Sequence, residues 1–160
     1  MHFSTVALLS TALASLANAG PLPLNELSPP YCPPRPVSSE QQRSIFDEFV
    51  QKLFIERNPT KALTDHMADD YIQHNPFALS GRQNGIDALS FVTPETVNFT
   101  VVHSGTDKDL AWIFSRVDQV GQDQPTAAAD FFRFNGSCIQ EHWDVLQERP
   151  ANRTNPLDMW

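Results

Sequence analysis

The stretch Ala129-Asp130-Phe131-Phe132-Arg133-Phe134-Asn135-Gly136-Ser137-Cys138-Ile139-Gln140-Glu141-His142-Trp143-Asp144-Val145 decides how this 160-residue chain reads. Two runs rich in aromatic and β-branched residues flank Asn135-Gly136. That pair suits a hairpin, because a type I′ turn needs positive φ at both central positions. Side chains alternate across a strand, so Asp130, Phe132 and Phe134 share one face of the first run. On the second run His142 and Asp144 share a face opposite Glu141, Trp143 and Val145. Register then decides whether His142 or Trp143 meets the interior.

Outward from this hairpin, residues 96–104 and 110–120 are two further runs of the same kind, separated by short polar connections. With 126–134 and 138–147 they predict a four-stranded antiparallel meander. Before Pro94 the periodicity changes. Ser38-x-x-Gln41 matches a capping box, and Ile45, Phe46, Phe49, Val50, Leu53 and Phe54 recur at helical spacing. They predict an amphipathic helix to about Arg57. Asn58-Pro59 stops it, residues 61–67 and 84–91 read as two short helices, and Tyr71-Ile72-Gln73-His74-Asn75-Pro76 reads as a turn. Helices followed by a meander give an α+β layer architecture: N-terminal helices packed on a strongly curved, mainly antiparallel sheet. A bent sheet under helices leaves a hollow.

The rest of the chain sets the context. Hydrophobic residues make up 41% and charged residues 19%, with 11 Phe and 3 Trp, enough apolar surface for one globular domain. A formal net charge of -8 and the absence of a Lys/Arg stripe argue against nucleic acid and against anionic membranes as partners. Residues 1–19 read as a signal peptide: an apolar run over 6–16, then Ala17-Asn18-Ala19 as a cleavage pattern. The mature protein is thus expected to be secreted and extracellular, with no membrane association after cleavage. Residues 20–37, with seven prolines, form an extended arm; 38–150 form the domain; 151–160 form a C-terminal tail. In an oxidising compartment Cys32 and Cys138 are expected to pair, two free thiols being the alternative. Asn98, Asn135 and Asn152 head glycosylation sequons.

The block from Ala129 to Val145 resembles the paired strands of SnoaL-like proteins, with Asp130, Phe132 and Arg133 on one strand and Glu141-His142-Trp143-Asp144 on the other. Tyr71-Ile72-Gln73-His74-Asn75-Pro76 matches a second hallmark of that family. The SnoaL-like proteins belong to the nuclear-transport-factor-2-like superfamily. The resemblance therefore implies a conical α+β barrel, a pocket for a hydrophobic small molecule, and a homodimer formed through the sheet. It also implies polyketide-cyclase-like lyase or isomerase chemistry without a cofactor, although the same scaffold hosts binding proteins.

An Asp among aromatic rings has its pKa raised by desolvation and can shuttle protons near neutral pH. Asp130, His142 and His74 are the candidate catalytic residues. The other reading of Asp130 pairs it across the sheet with Arg116 or Arg133. Tyr71, Phe114, Arg116, Phe132 and Trp143 are the candidate substrate-binding residues. Arg116-Val117-Asp118 also resembles the water-activating pair of limonene epoxide hydrolases. His74, Asp130 and His142 are donor types a metal accepts, but no close ligand spacing such as H-x-x-x-H occurs, so no metal site is expected. Glycine-rich phosphate loops and the G-x-S-x-G pattern are absent. Two functions stay open at this level: cofactor-free proton transfer (cyclisation, aldol-type or hydration chemistry) on a hydrophobic metabolite, or capture of that metabolite without chemistry.

Overall fold

Ser38 caps the first helix as its spacing demands. Its hydroxyl accepts from the Gln41 backbone N–H at 3.2 Å while the Gln41 side-chain carbonyl accepts from the Ser38 N–H at 2.7 Å. The computed structural model describes residues 27–160, so the signal segment and the first part of the arm lie outside the described residues. Helix α1 (Ser39–Val50) continues through a π-helical turn, Gln51–Ile55. The wider turn keeps Leu53 and Phe54 on the buried side with Ile45, Phe46 and Phe49. Asn58 caps α2 (Pro59–His66), with Pro59 at the first helical position where its missing N–H costs nothing. Helix α3 (Arg82–Ala88) follows a turn at Gly81.

Five strands make one sheet: β1 (Met67–Gln73), β2 (Val97–Asp107), β3 (Leu110–Gln119), β4 (Thr126–Asn135) and β5 (Cys138–Glu148), in the order β1-β5-β4-β3-β2. The expected four-stranded antiparallel meander is present as β2 to β5. The expected turn at residues 71–76 is corrected: Tyr71-Ile72-Gln73 end β1, which runs parallel to β5 with Ile72 opposite Glu141 and Gln73 opposite His142. Asp69-Asp70 are poor strand formers, and pairing with a strand some seventy residues away overrides that local preference. The hairpin is corrected in detail too. Asn135 pairs with Cys138, so Gly136 and Ser137 are the central residues, and only Gly136 has positive φ (56°), as in a type II′ turn.

Register shifts mark two bulges, with Val102 the extra residue on β2 and Gln140 the extra residue on β5, and such insertions bend a sheet and increase its twist locally. Between the layers, Phe49 packs edge-on against Phe132 at 5.1 Å, and Phe46 meets both Phe132 and Phe134. Among the described residues, no helix is long and apolar enough to cross a membrane.

The proline-rich arm is fastened to the domain. Tyr31 N–H donates to the Asp65 carbonyl at 2.7 Å. The Ser137 hydroxyl donates to the Tyr31 carbonyl at 2.6 Å and accepts from Arg35 N–H at 3.0 Å. A Cβ on Gly136 would lie 2.3 Å from the Arg35 carbonyl oxygen, so glycine is required both by φ and by the passing arm. Cys32 and Cys138 form the expected disulfide across a sequence separation of 106, a constraint of about 4.8 kcal/mol in the chain-entropy picture. Beneath the arm, Lys52 Nζ donates to Asp65 Oδ2 at 2.7 Å and also to Glu48, which accepts from the Tyr31 hydroxyl as well.

Candidate functional site

Where the bent sheet lifts away from α2 and α3, a cavity of about 390 Å³ remains. Leu53 and Phe54 of the π-helical turn, Leu63 of α2, and Val97 and Phe99 of β2 supply apolar walls. The ionisable groups Asp130, His142 and Asp144 collect where β1, β4 and β5 lie side by side, while Gln119, Gln122 and Thr126 add further polar side chains to the lining. Register puts them there: Phe132 stands opposite His142 and Asp130 opposite Asp144, so both pairs project from the inner face.

His142 Nε2 lies 3.2 Å from Asp130 Oδ1, and the two side chains are only 11% and 14% exposed. The other ring nitrogen, Nδ1, is 2.9 Å from the Gln73 side-chain oxygen. That amide is oriented by its neighbours: its Nε2 donates to the Tyr71 hydroxyl at 3.2 Å, and its oxygen accepts from the Asn75 backbone N–H at 3.1 Å. The Gln73 oxygen is therefore an acceptor, and the proton of His142 sits on Nδ1. Nε2 is left to exchange a proton with Asp130. Burial raises the pKa of Asp130, the nearby Asp144 carboxylate pushes the same way, and His142 partly offsets both. Burial likewise raises the Tyr71 hydroxyl. Phe132 stacks on the imidazole at 4.8 Å and fixes the ring plane. Asp144 accepts from Asn75 Nδ2 through both oxygens, at 2.8 and 2.7 Å.

The arrangement is a buried acid–base pair at the polar end of an apolar hollow. Asp130, His142 and Asp144 also bring potential ligand atoms within 4.8 Å of one another, a donor set that could accept a cation.

No protein-family model and no curated protein matches the chain. Solved structures do. An NTF2-like protein of unknown function from Mesorhizobium loti superposes with a TM-score of 0.59 at 21% identity, over 71% of this chain and 97% of that one. The fold is NTF2-like. A candidate SnoaL-like polyketide cyclase from Jannaschia aligns with a TM-score of 0.52 at 15% identity, covering 64% of this chain and 85% of its own. AclR, a candidate hydroxylase from Streptomyces galilaeus, aligns with a TM-score of 0.56 at 16% identity, covering 71% and 83%.

Within this NTF2-like fold the candidate residues separate into two groups. Asp130, His142, Tyr71 and Phe132 line the cavity. His74, Phe114, Arg116 and Trp143 do not, and alternation is the reason. His142 faces inward on β5, so Trp143 faces out. Gln73 faces inward at the end of β1, so His74 turns outward, stacks on Trp143 at 4.7 Å and meets Glu141 at 2.8 Å. On β3, Ile113 stands opposite Asp130 and Ser115 opposite Ala128, which leaves Phe114 and Arg116 on the far side of the sheet. Neither arginine pairs with Asp130: Arg116 binds Asp118 through two nitrogens and Arg133 binds Glu141 at 2.6 Å. The unassigned tail reaches Arg116 as well, with the Trp160 ring 4.6 Å from its guanidinium.

Gln73, Asn75 and Asp144 line the cavity without having been singled out as candidates. Asp144 was legible as the i+2 neighbour of His142 on one strand face. Gln73 and Asn75 become legible only when residues 71–75 are read as extended, which puts them on the Tyr71 face.

Proposed function

We propose that the protein takes an apolar small molecule into this cavity and moves a proton on it without a cofactor. One observation carries the reading: the Asp130–His142 pair is buried in the hollow, with the tautomer of His142 held by Gln73 and Tyr71. A substrate carbonyl lying against the pair would present its neighbouring C–H to the Asp130 carboxylate. In the charged form of the pair, His142 Nε2–H donates to the enolate oxygen as the proton leaves carbon. Return of that proton from Asp130 to another carbon is isomerisation. Attack of the enolate carbon on a second carbonyl, with the proton passing to the new alkoxide, is aldol cyclisation. Atoms and charges balance in both without oxidant or added acid.

The remaining elements of the reading are secretion and dimerisation. The disulfide suits an oxidising compartment, and Asn98, Asn135 and Asn152 are all exposed for glycosylation. Trp112, Phe131 and Val145 remain exposed on the outer sheet face, which fits a second copy of the chain.

The test is deuterium exchange next to the carbonyl of an apolar probe ketone, β-tetralone, followed by NMR in heavy water. The native protein is expected to accelerate exchange, and Asp130→Asn to lower that acceleration by about 10²-fold or more while still binding the ketone. Binding without acceleration by the native protein would leave metabolite capture as the function. Equal acceleration by Asp130→Asn would remove Asp130 from the chemistry.

A further inference from the structure

The charge pattern of the cavity bears on what it accepts. Two carboxylates, Asp130 and Asp144, stand at its polar end, and among the described residues no lysine or arginine lines it. Among the described residues Asp144 is held by Asn75 Nδ2 alone, a neutral donor that leaves the charge uncompensated and each oxygen with a free lone pair. Among the same described residues the Asp130 carboxyl has the imidazole of His142 as its polar partner. The rest of the lining includes the aromatic rings of Phe54, Tyr71, Phe77, Phe91, Phe99 and Phe132. Carboxylates joined to aromatic faces are the chemistry that recognises an ammonium group, through charge-assisted hydrogen bonds at one end and ring quadrupoles around it. A carboxylate or phosphate ligand would meet the Asp144 charge, and that of Asp130 whenever it is ionised, in a weakly screened hollow whose described lining offers no lysine or arginine to receive it.

We propose that the molecule bound in this cavity is an apolar amine whose protonated nitrogen sits between Asp130 and Asp144 and whose hydrocarbon body lies against the aromatic walls. The proposal deepens the proton-transfer reading, on which it rests, by naming the substrate class. The two carboxylates are register partners on adjacent strands, and their nearest oxygens lie within 4.8 Å, so one ammonium reaches both. The nitrogen has a second effect. A positive charge beside Asp130 favours its ionised form, so binding the amine itself turns the buried acid toward its proton-accepting state.

The experiment measures binding of three probes of equal apolar body, naphthylethylamine, naphthylethanol and naphthylacetate, to the full disulfide-bonded chain by isothermal titration calorimetry at neutral pH. EDTA is present throughout, so no metal bridges the ligand. The amine is expected to bind about tenfold or more tighter than the alcohol, and the acetate to bind weakest. In Asp144→Asn, with its fold checked by circular dichroism and an unchanged thermal midpoint, the amine-to-alcohol ratio is expected to fall toward one. If that variant is unfolded, the ratio is read instead in Asn75→Ala, which frees the Asp144 carboxylate and raises the amine preference. Equal binding of all three probes, or tightest binding of the acetate, overturns the amine proposal while leaving the apolar cavity reading intact. Failure of all three to bind overturns both.

Discussion

His66 gives a prediction whose size follows from its surroundings. The ring is fully buried beneath the arm, tilted against Tyr31 at 4.9 Å and edge-on to Phe49. Lys52 Nζ lies 3.3 Å from Nε2 and, as an ammonium, can only donate, so Nδ1 carries the proton and has no partner among the described residues. Burial and then the Lys52 charge drive the His66 pKa from 6.5 down to about 4, with Glu48 and Asp65 opposing. A folded pKa below the unfolded value means that the unfolded chain takes up the proton first. The neutral ring therefore supports stability above about pH 6.5, and that support is lost as pH falls toward 4. At 1.36 kcal/mol per unit the loss is about 2 kcal/mol at pH 5 and about 3 kcal/mol by pH 3. For a domain of this size the pH 5 loss is a fall of about 7 °C in Tm. His66→Gln removes the titration, while Glu48, Asp65 and the other acids stay common to both proteins. Urea unfolding of the two proteins at pH 7.5, 6 and 5, with the disulfide intact, should show the native protein losing about 2 kcal/mol relative to the variant over that range. Parallel stability curves would refute the assignment of a buried neutral His66 held down by Lys52.

Gly85 lies beneath Tyr71: an added Cβ would stand 2.8 Å from the Tyr71 hydroxyl and 2.9 Å from Leu63 Cδ2. Gly85→Ala is expected to cost about 1–3 kcal/mol in chemical denaturation. It should also slow probe-ketone exchange by loosening the Tyr71–Gln73–His142 chain, and an unchanged exchange rate would show that this chain does not position the imidazole. Replacing both Cys32 and Cys138 by Ala is expected to lower stability by roughly 2–4 kcal/mol and to expose the arm to limited proteolysis; an arm that stays protected would put its fastening in the polar contacts alone. Light scattering after gel filtration should give twice the chain mass, reduced to one chain by Phe131→Asp, and a native monomer would remove the outer sheet face as the interface. Probe-ketone exchange should survive dialysis against EDTA, since the pair can work through protons alone; loss restored by zinc would assign the Asp130, His142 and Asp144 donors to a cation instead.

Local signals in the sequence accounted for the elements whose causes are local. The capping box at Ser38, the helical spacing of Ile45 to Phe54, and the alternation of Asp130, Phe132 and Phe134 each reflect constraints within a few residues, and each is present in the fold. The disulfide was legible because only two cysteines exist. What the sequence left undecided depended on partners far along the chain. β1 is a strand because β5 lies beside it, and residues 71–76 taken alone carry turn formers. The face given to each candidate residue was a matter of register, and a shift of one position would have exchanged His142 for Trp143 in the cavity. His74, Phe114 and Arg116 fell outside for the same reason, and Gln73, Asn75 and Asp144 came in. Alternation on each strand was written in the chain, but which side of each strand is the inside was settled only when the helices closed over the sheet, because burial is a property of the assembled layers.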